Sequence, residues 1–137
     1  MPLNLSSPVV RLFLVRHAHS DPGEPDELRP LSGRGREQAR ALAERLAAAE
    51  PALVVASPLL RARETASAIA KATGAELRID DRLAPGAGVD DVLDAVDGAE
   101  GAVVTVGHQP DCSEIAAALG AGDREFAPAG VLEIDVP

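Results

Sequence analysis

Aromatic side chains are nearly missing from this 137-residue chain, which has two Phe and neither Tyr nor Trp. Its core must be filled by Leu, Val, Ile and Ala, and an aromatic platform for stacking nucleic-acid bases is excluded. Cysteine occurs once, at Cys112, so an internal disulfide and a cysteine metal cluster are excluded too. Only three histidines are present, and 13 Lys and Arg face 22 Asp and Glu for a formal net charge of -9. That balance argues against a nucleic-acid or anionic-membrane partner, either of which needs a basic surface. No apolar run is long enough to span a bilayer. The amino terminus shows no basic segment followed by a long apolar stretch, so no leader is expected and a cytoplasmic setting is the default.

Hydrophobic residues make up 46% of the chain, enough for a folded core, and the length suits one domain over residues 1–137. Residues 9–15 are continuous and apolar but for Arg11, the pattern of a buried strand. Residues 20–30 read as loop, with Pro22, Gly23, Pro25 and Pro30. Ser32 is a helix N-cap candidate, followed by Ala39, Leu42, Leu46 and Ala49 at helical spacing up to Pro51. Leu53–Ala56 is a short strand. Ser57 as cap and Pro58 as first helical residue predict a helix to about Thr73-Gly74. Leu77 and Ile79 suggest a third strand, Asp80–Gly88 a loop, and Val89–Val96 a short acidic helix. Ala102–Val106 is a clear strand, with Pro110 opening a helix through Leu119. Val131–Val136 alternates apolar and acidic residues, as an edge strand does. Strand and helix alternate, which predicts an α/β three-layer sandwich with a mainly parallel central sheet.

In such a sheet the carboxyl ends of the strands form the ligand-binding edge. Arg16-His17 follows the first strand, Arg61 lies in the first turn of the helix after the second, and His108 follows a later strand. Two arginines and two histidines beside helix N-termini describe a pocket for a tetrahedral dianion. The planar guanidinium makes paired, charge-assisted bonds to phosphate oxygens. Singly, each has an ordinary explanation. A strand-end Arg is usually solvated, Arg61 shares a charged helix with Arg63, Glu64 and Lys71, and a turn His often caps. Their convergence on one edge is what favours function.

Leu14-Val15-Arg16-His17-Ala18 resembles the signature of the histidine phosphatase (phosphoglycerate mutase-like) superfamily, with Ala18 where the family usually has Gly. Leu31-Ser32, Gly35 and Gln38-Ala39 match its first-helix pattern. Ser57-Pro58-Leu59-Leu60-Arg61-Ala62-Arg63-Glu64-Thr65-Ala66 resembles its second motif, and Val106-Gly107-His108-Gln109-Pro110 its third. The resemblance runs in order over residues 9 to 119, and three motifs together are specific where one is not. The short length is most similar to the SixA-type bacterial phosphohistidine phosphatases. The resemblance implies a phosphoglycerate mutase-like fold and catalysis through a phosphohistidine on His17. Arg16, Arg61 and His108 would bind the phosphoryl group, with no metal and no cofactor. The substrate would be a phosphorylated protein or a small phosphorylated molecule.

Many relatives carry a glutamate that protonates the leaving oxygen in the loop after the third strand. Here that stretch reads Asp81-Arg82-Leu83-Ala84-Pro85-Gly86, with no acid after Leu83. A phosphorylated imidazole needs less help to leave than an alkoxide, so the absence tilts the expected substrate toward phosphohistidine. Asp21, Glu24 and Asp81 are loop carboxylates read as surface charge. His19 is read as an entrance residue outside the chemistry, and Cys112 as packed inside its helix. Two rivals use the same residues. One is a non-catalytic phosphate-binding or regulatory domain on this fold. The other is a zinc-dependent hydrolase built on His17-Ala18-His19-Ser20-Asp21, for which the chain holds few imidazoles.

Overall fold

The computed structural model describes residues 9–137, and the reading of the amino terminus as free of a leader falls on residues 1–8, outside the described residues. In chain order the elements are β1 (Val10–Arg16), α1 (Gly33–Ala47), β2 (Leu53–Ala56), α2 (Leu60–Thr73), β3 (Glu76–Ile79), α3 (Val89–Ala95), β4 (Gly101–Gly107), α4 (Asp111–Ala118) and β5 (Val131–Val136). Short 3-10 turns occupy Asp26–Leu28 and Asp81–Leu83. The sheet order is β3-β2-β4-β1-β5. Every pairing is parallel except that of β5 with β1, so the expected α/β sandwich with a mainly parallel sheet is the one observed. No helix among the described residues is long and apolar enough to cross a membrane.

A strand covered on both faces needs apolar residues at every position, and the continuous run in β1 reflects that. Leu12 and Leu14 point into one layer with Val55, Val103, Val92, Cys112 and Ile115, under α3 and α4. Phe13 and Val15 point into the other with Leu42, Leu46, Val54, Ala66, Ile69 and Val104, under α1 and α2. The small side chains of α2 let it lie close to the sheet, which compensates for the shortage of aromatics. β5 is an edge strand as its alternation predicts. Its Glu133 meets Arg11 at 3.4 Å on the exposed face, a contact of little energetic weight.

The register aligns three strand ends. Arg16 lies opposite Gly107 and Val15 opposite Val106, while Ala56 also lies opposite Val106. Beyond those pairs the His17 amide donates to the Gly107 carbonyl and the Ser57 amide to the Val106 carbonyl, each at 3.0 Å. The start of α2 departs from expectation. Ser57-Pro58 does not open the helix: Leu59 is the residue before it, and Ser57 stays at the sheet edge, fully buried. Its hydroxyl accepts from the Leu59 amide at 3.2 Å and pairs with His108 instead of capping. Pro110 likewise precedes α4 rather than beginning it.

Ser32 caps α1 as expected, its hydroxyl accepting from the Gly35 amide at 3.0 Å. Gly35 is there for closeness: a Cβ would lie 1.8 Å from the His19 carbonyl oxygen. The first turn of α1 therefore seats directly on the chain leaving β1. Gly35→Ala is expected to lower stability by about 1–3 kcal/mol through overpacking and to displace residues 18–20, read by chemical denaturation and by the amide shifts of those residues.

Candidate active site

Arg16, His17, Arg61 and His108 come together at the carboxyl edge of β1, β4 and the β2–α2 junction. The His17 and His108 rings are 5.2 Å apart between centroids and tilted by 59°. His17 Nδ1 lies 2.7 Å from the Ala18 carbonyl oxygen. A carbonyl can only accept, so Nδ1 carries the proton and Nε2 keeps its lone pair. Burial is the main reason the His17 pKa falls to about 4, with Arg61, Arg16 and Arg29 pushing the same way against the Ala18 bond. The His108 pKa falls to about 3, again mainly through burial, then through His17 and Arg61. Both imidazoles are neutral at pH 7. His108 Nε2 sits 2.8 Å from the Ser57 hydroxyl, and its Nδ1 has no protein partner and is not sealed from solvent.

Ala18 is fully buried against Leu31 and Ala39. Its amide donates to Thr65 Oγ1 at 3.0 Å, and that hydroxyl donates in turn to the Arg61 carbonyl at 2.8 Å. α2 is thereby tied to the end of β1. Glu64 adds a second tie, accepting from the Leu31 amide at 2.8 Å.

Arg16 donates through Nη1 to the Phe126 carbonyl at 2.8 Å, while its Nε is buried without a partner. A buried guanidinium N–H left unpaired is costly, and an anion oxygen would satisfy it. The Phe126–Gly130 segment closes over the strand end, with the Ala129 amide shared between the Arg16 and His17 carbonyls at 3.1 Å each. An open cavity of about 250 Å³ is lined by Arg16, His17, His19, Ser20, Arg29, Arg61 and Pro128. His108 is not in that lining. Only 4% exposed, it borders a much smaller space shared with Thr105, Asp111 and Cys112. A larger groove of about 540 Å³ runs between α1 and α2 past Ala39, Ala43 and Ala68, and none of the histidines lines it.

Two residues of the site were not singled out in the sequence. Arg29 donates to Ser20 Oγ, the Asp21 carbonyl and Asp26 Oδ1, each at 2.9 Å. Asp26 also accepts from Arg61, at 2.9 Å through its backbone carbonyl and 3.2 Å through Oδ2. Arg29 first, then Arg61, holds the Asp26 carboxyl below its usual range. Arg61 is thus already paired with a carboxylate. Asp81 is exposed, and Gly86 of the same loop is tied by its amide to Asp111 at 2.8 Å. Burial pushes the Cys112 thiol up to about 12, so it is no thiolate. Among the described residues no group of three or more His, Cys, Asp and Glu forms a metal-binding set, and the His17–Asp21 string does not assemble one.

A family model described as the histidine phosphatase superfamily (branch 1) matches residues 12–85. A glucosyl-3-phosphoglycerate phosphatase from Mycolicibacterium vanbaalenii is 40% identical over 80 residues, 55% of this chain and 36% of its own length. The chain thus spans about a third of the length of the curated relatives it matches. Among solved structures, a protein histidine phosphatase SixA complexed with tungstate superposes with a TM-score of 0.80 at 22% identity, over 90% of this chain and 86% of the other. A structure described as a SixA protein from Agrobacterium tumefaciens superposes with a TM-score of 0.78 at 27% identity, over 91% of each chain.

An oxyanion bound at Arg61 would have to compete with the Asp26 carboxylate, so Asp26→Asn is expected to tighten vanadate and phosphate binding several-fold, measured by calorimetric titration.

Proposed function

The chain belongs to the histidine phosphatase superfamily (branch 1), and on that footing we propose that it hydrolyses phosphoryl groups through a covalent intermediate on His17. The observation that carries this reading is the His17 Nδ1–Ala18 carbonyl bond, which leaves Nε2 unprotonated beside Arg16, Arg29 and Arg61. His17 Nε2 attacks phosphorus, the bond to the leaving group breaks, and water then displaces phosphate from the imidazole. Arg16 and Arg61 hold the equatorial oxygens and stabilise the charge that spreads over them in the transition state. Arg29 adds a third cation. His108 packs beside His17, 5.2 Å away between ring centroids, with Ser57 holding its Nε2.

The cavity is open and no large insertion separates the motifs, which suits a phosphate that protrudes from its carrier. Phosphohistidine on a protein surface fits that description. A small phosphorylated metabolite is the second reading, favoured by the similarity to glucosyl-3-phosphoglycerate phosphatases. Rates on a phosphohistidine protein, a sugar phosphate and an aryl phosphate separate the two.

Turnover of ³²P-labelled substrate, quenched in alkali, is expected to leave an acid-labile label on His17. His17→Ala should remove label and hydrolysis together, and Arg61→Ala should lower kcat by about 100- to 1000-fold. Full hydrolysis of an aryl phosphate by His17→Ala would refute the assignment.

A further inference from the structure

The loop after β3 puts no carboxylate into the cavity, yet an alkoxide leaving group needs a proton. Of the seven lining residues, three are arginines, which keep their protons. Ser20 and Pro128 are not acids, and His17 is the proposed nucleophile. Asp26, just outside, has both carboxylate oxygens on arginines, an arrangement that holds it ionised. That leaves His19.

His19 is fixed more firmly than an entrance residue requires. Its amide donates to Gln38 Oε1 at 2.9 Å, and its carbonyl accepts from the Ser32 amide at 3.0 Å. Its Nδ1 lies 2.6 Å from Ser32 Oγ. That oxygen already accepts from the Gly35 amide and directs its own proton to the His19 carbonyl at 3.3 Å. In the protonated ring Nδ1–H donates to Ser32 Oγ, and the serine proton then goes to the His19 carbonyl. Nε2 has no protein partner and is not sealed from solvent, so it is the ring nitrogen left open to a substrate in the cavity that His19 lines.

We propose that His19 is the general acid of this site and that it extends the substrate range to phosphate monoesters of aliphatic alcohols. This rests on the reading of His17 as nucleophile. As His17 Nε2 bonds to phosphorus and the P–O bond breaks, the imidazolium of His19 gives its Nε2 proton to the departing oxygen, releasing the alcohol. The neutral ring, held through Nδ1 by Ser32, then takes a proton from the water that attacks the phosphohistidine. The P–N bond breaks with its electrons returning to His17, hydrogen phosphate leaves, and both histidines are restored.

The test is a leaving-group series. For His19→Gln and His19→Asn, kcat/KM on an alkyl phosphate is expected to fall about a hundredfold or more while that on p-nitrophenyl phosphate changes little. Added imidazole should restore part of the alkyl rate alone. Equal loss on both esters with wild-type vanadate affinity, or no loss on the alkyl ester, overturns His19 as acid and leaves His17 standing. So does a leaving-group-dependent loss in Asp26→Asn instead. A wild-type protein that hydrolyses neither ester but dephosphorylates a phosphohistidine protein overturns this inference alone, and one that acts on none of the three overturns the reading of His17 with it.

Discussion

The His17 amide donates to the Gly107 carbonyl at 3.0 Å, one step past the last paired residues of β1 and β4. These two strands are distant in sequence and neighbours only because the chain crosses over between them. Their parallel register brings Arg16 level with Gly107, so the residues that follow, His17 and His108, emerge side by side. The same register between β4 and β2 delivers Ser57 against His108 and starts α2 with Arg61 nearby. A slip of one residue would turn Phe13 and Val15 into the wrong layer, so the two cores on either side of the sheet hold the register. Site geometry is thus a consequence of core packing.

That placement has an electrostatic consequence. Two imidazoles are withdrawn from water beside three arginines, and both stay neutral. The unfolded chain takes up these protons from about pH 6.5 downward, while the folded chain takes them up only near pH 4 and 3. Stability contributed by their neutrality is therefore present above 6.5 and lost as pH falls through that window. On a chain with a net charge of -9, the arginines gathered at this edge are a local reversal of sign. Asp26 partly neutralises it, supplying a carboxylate that occupies Arg61 and Arg29.

Much of this was legible in the sequence, for physical reasons. A strand buried on both faces reads as an unbroken apolar run, so β1 and β4 stood out, and the candidate site residues lay at their ends. Ser32 was readable as a cap because its distance from Gly35 fits a helical turn. Ser57 misled, since Ser-Pro is a general helix-start signal and its actual partner lies 51 residues away. Asp26 and Arg29 sit in a loop without periodicity, and nothing local announces a bond from Asp26 to Arg61, 35 positions on. Phe126–Gly130 acts through backbone atoms, which no side-chain identity advertises. The burial of His108 was also invisible, because it depends on how closely the strand ends pack together.

The central claim is that His17 presents an unprotonated Nε2 to the arginine-lined cavity because Nδ1–H is committed to the Ala18 carbonyl. Nitrogen-15 NMR of the histidine rings, followed from pH 7 to pH 3, tests it directly. His17 should carry its proton on Nδ1 throughout the neutral range and take up a second one only near pH 4. A proton resident on Nε2 at pH 7, or a titration at the ordinary 6.5, would contradict it.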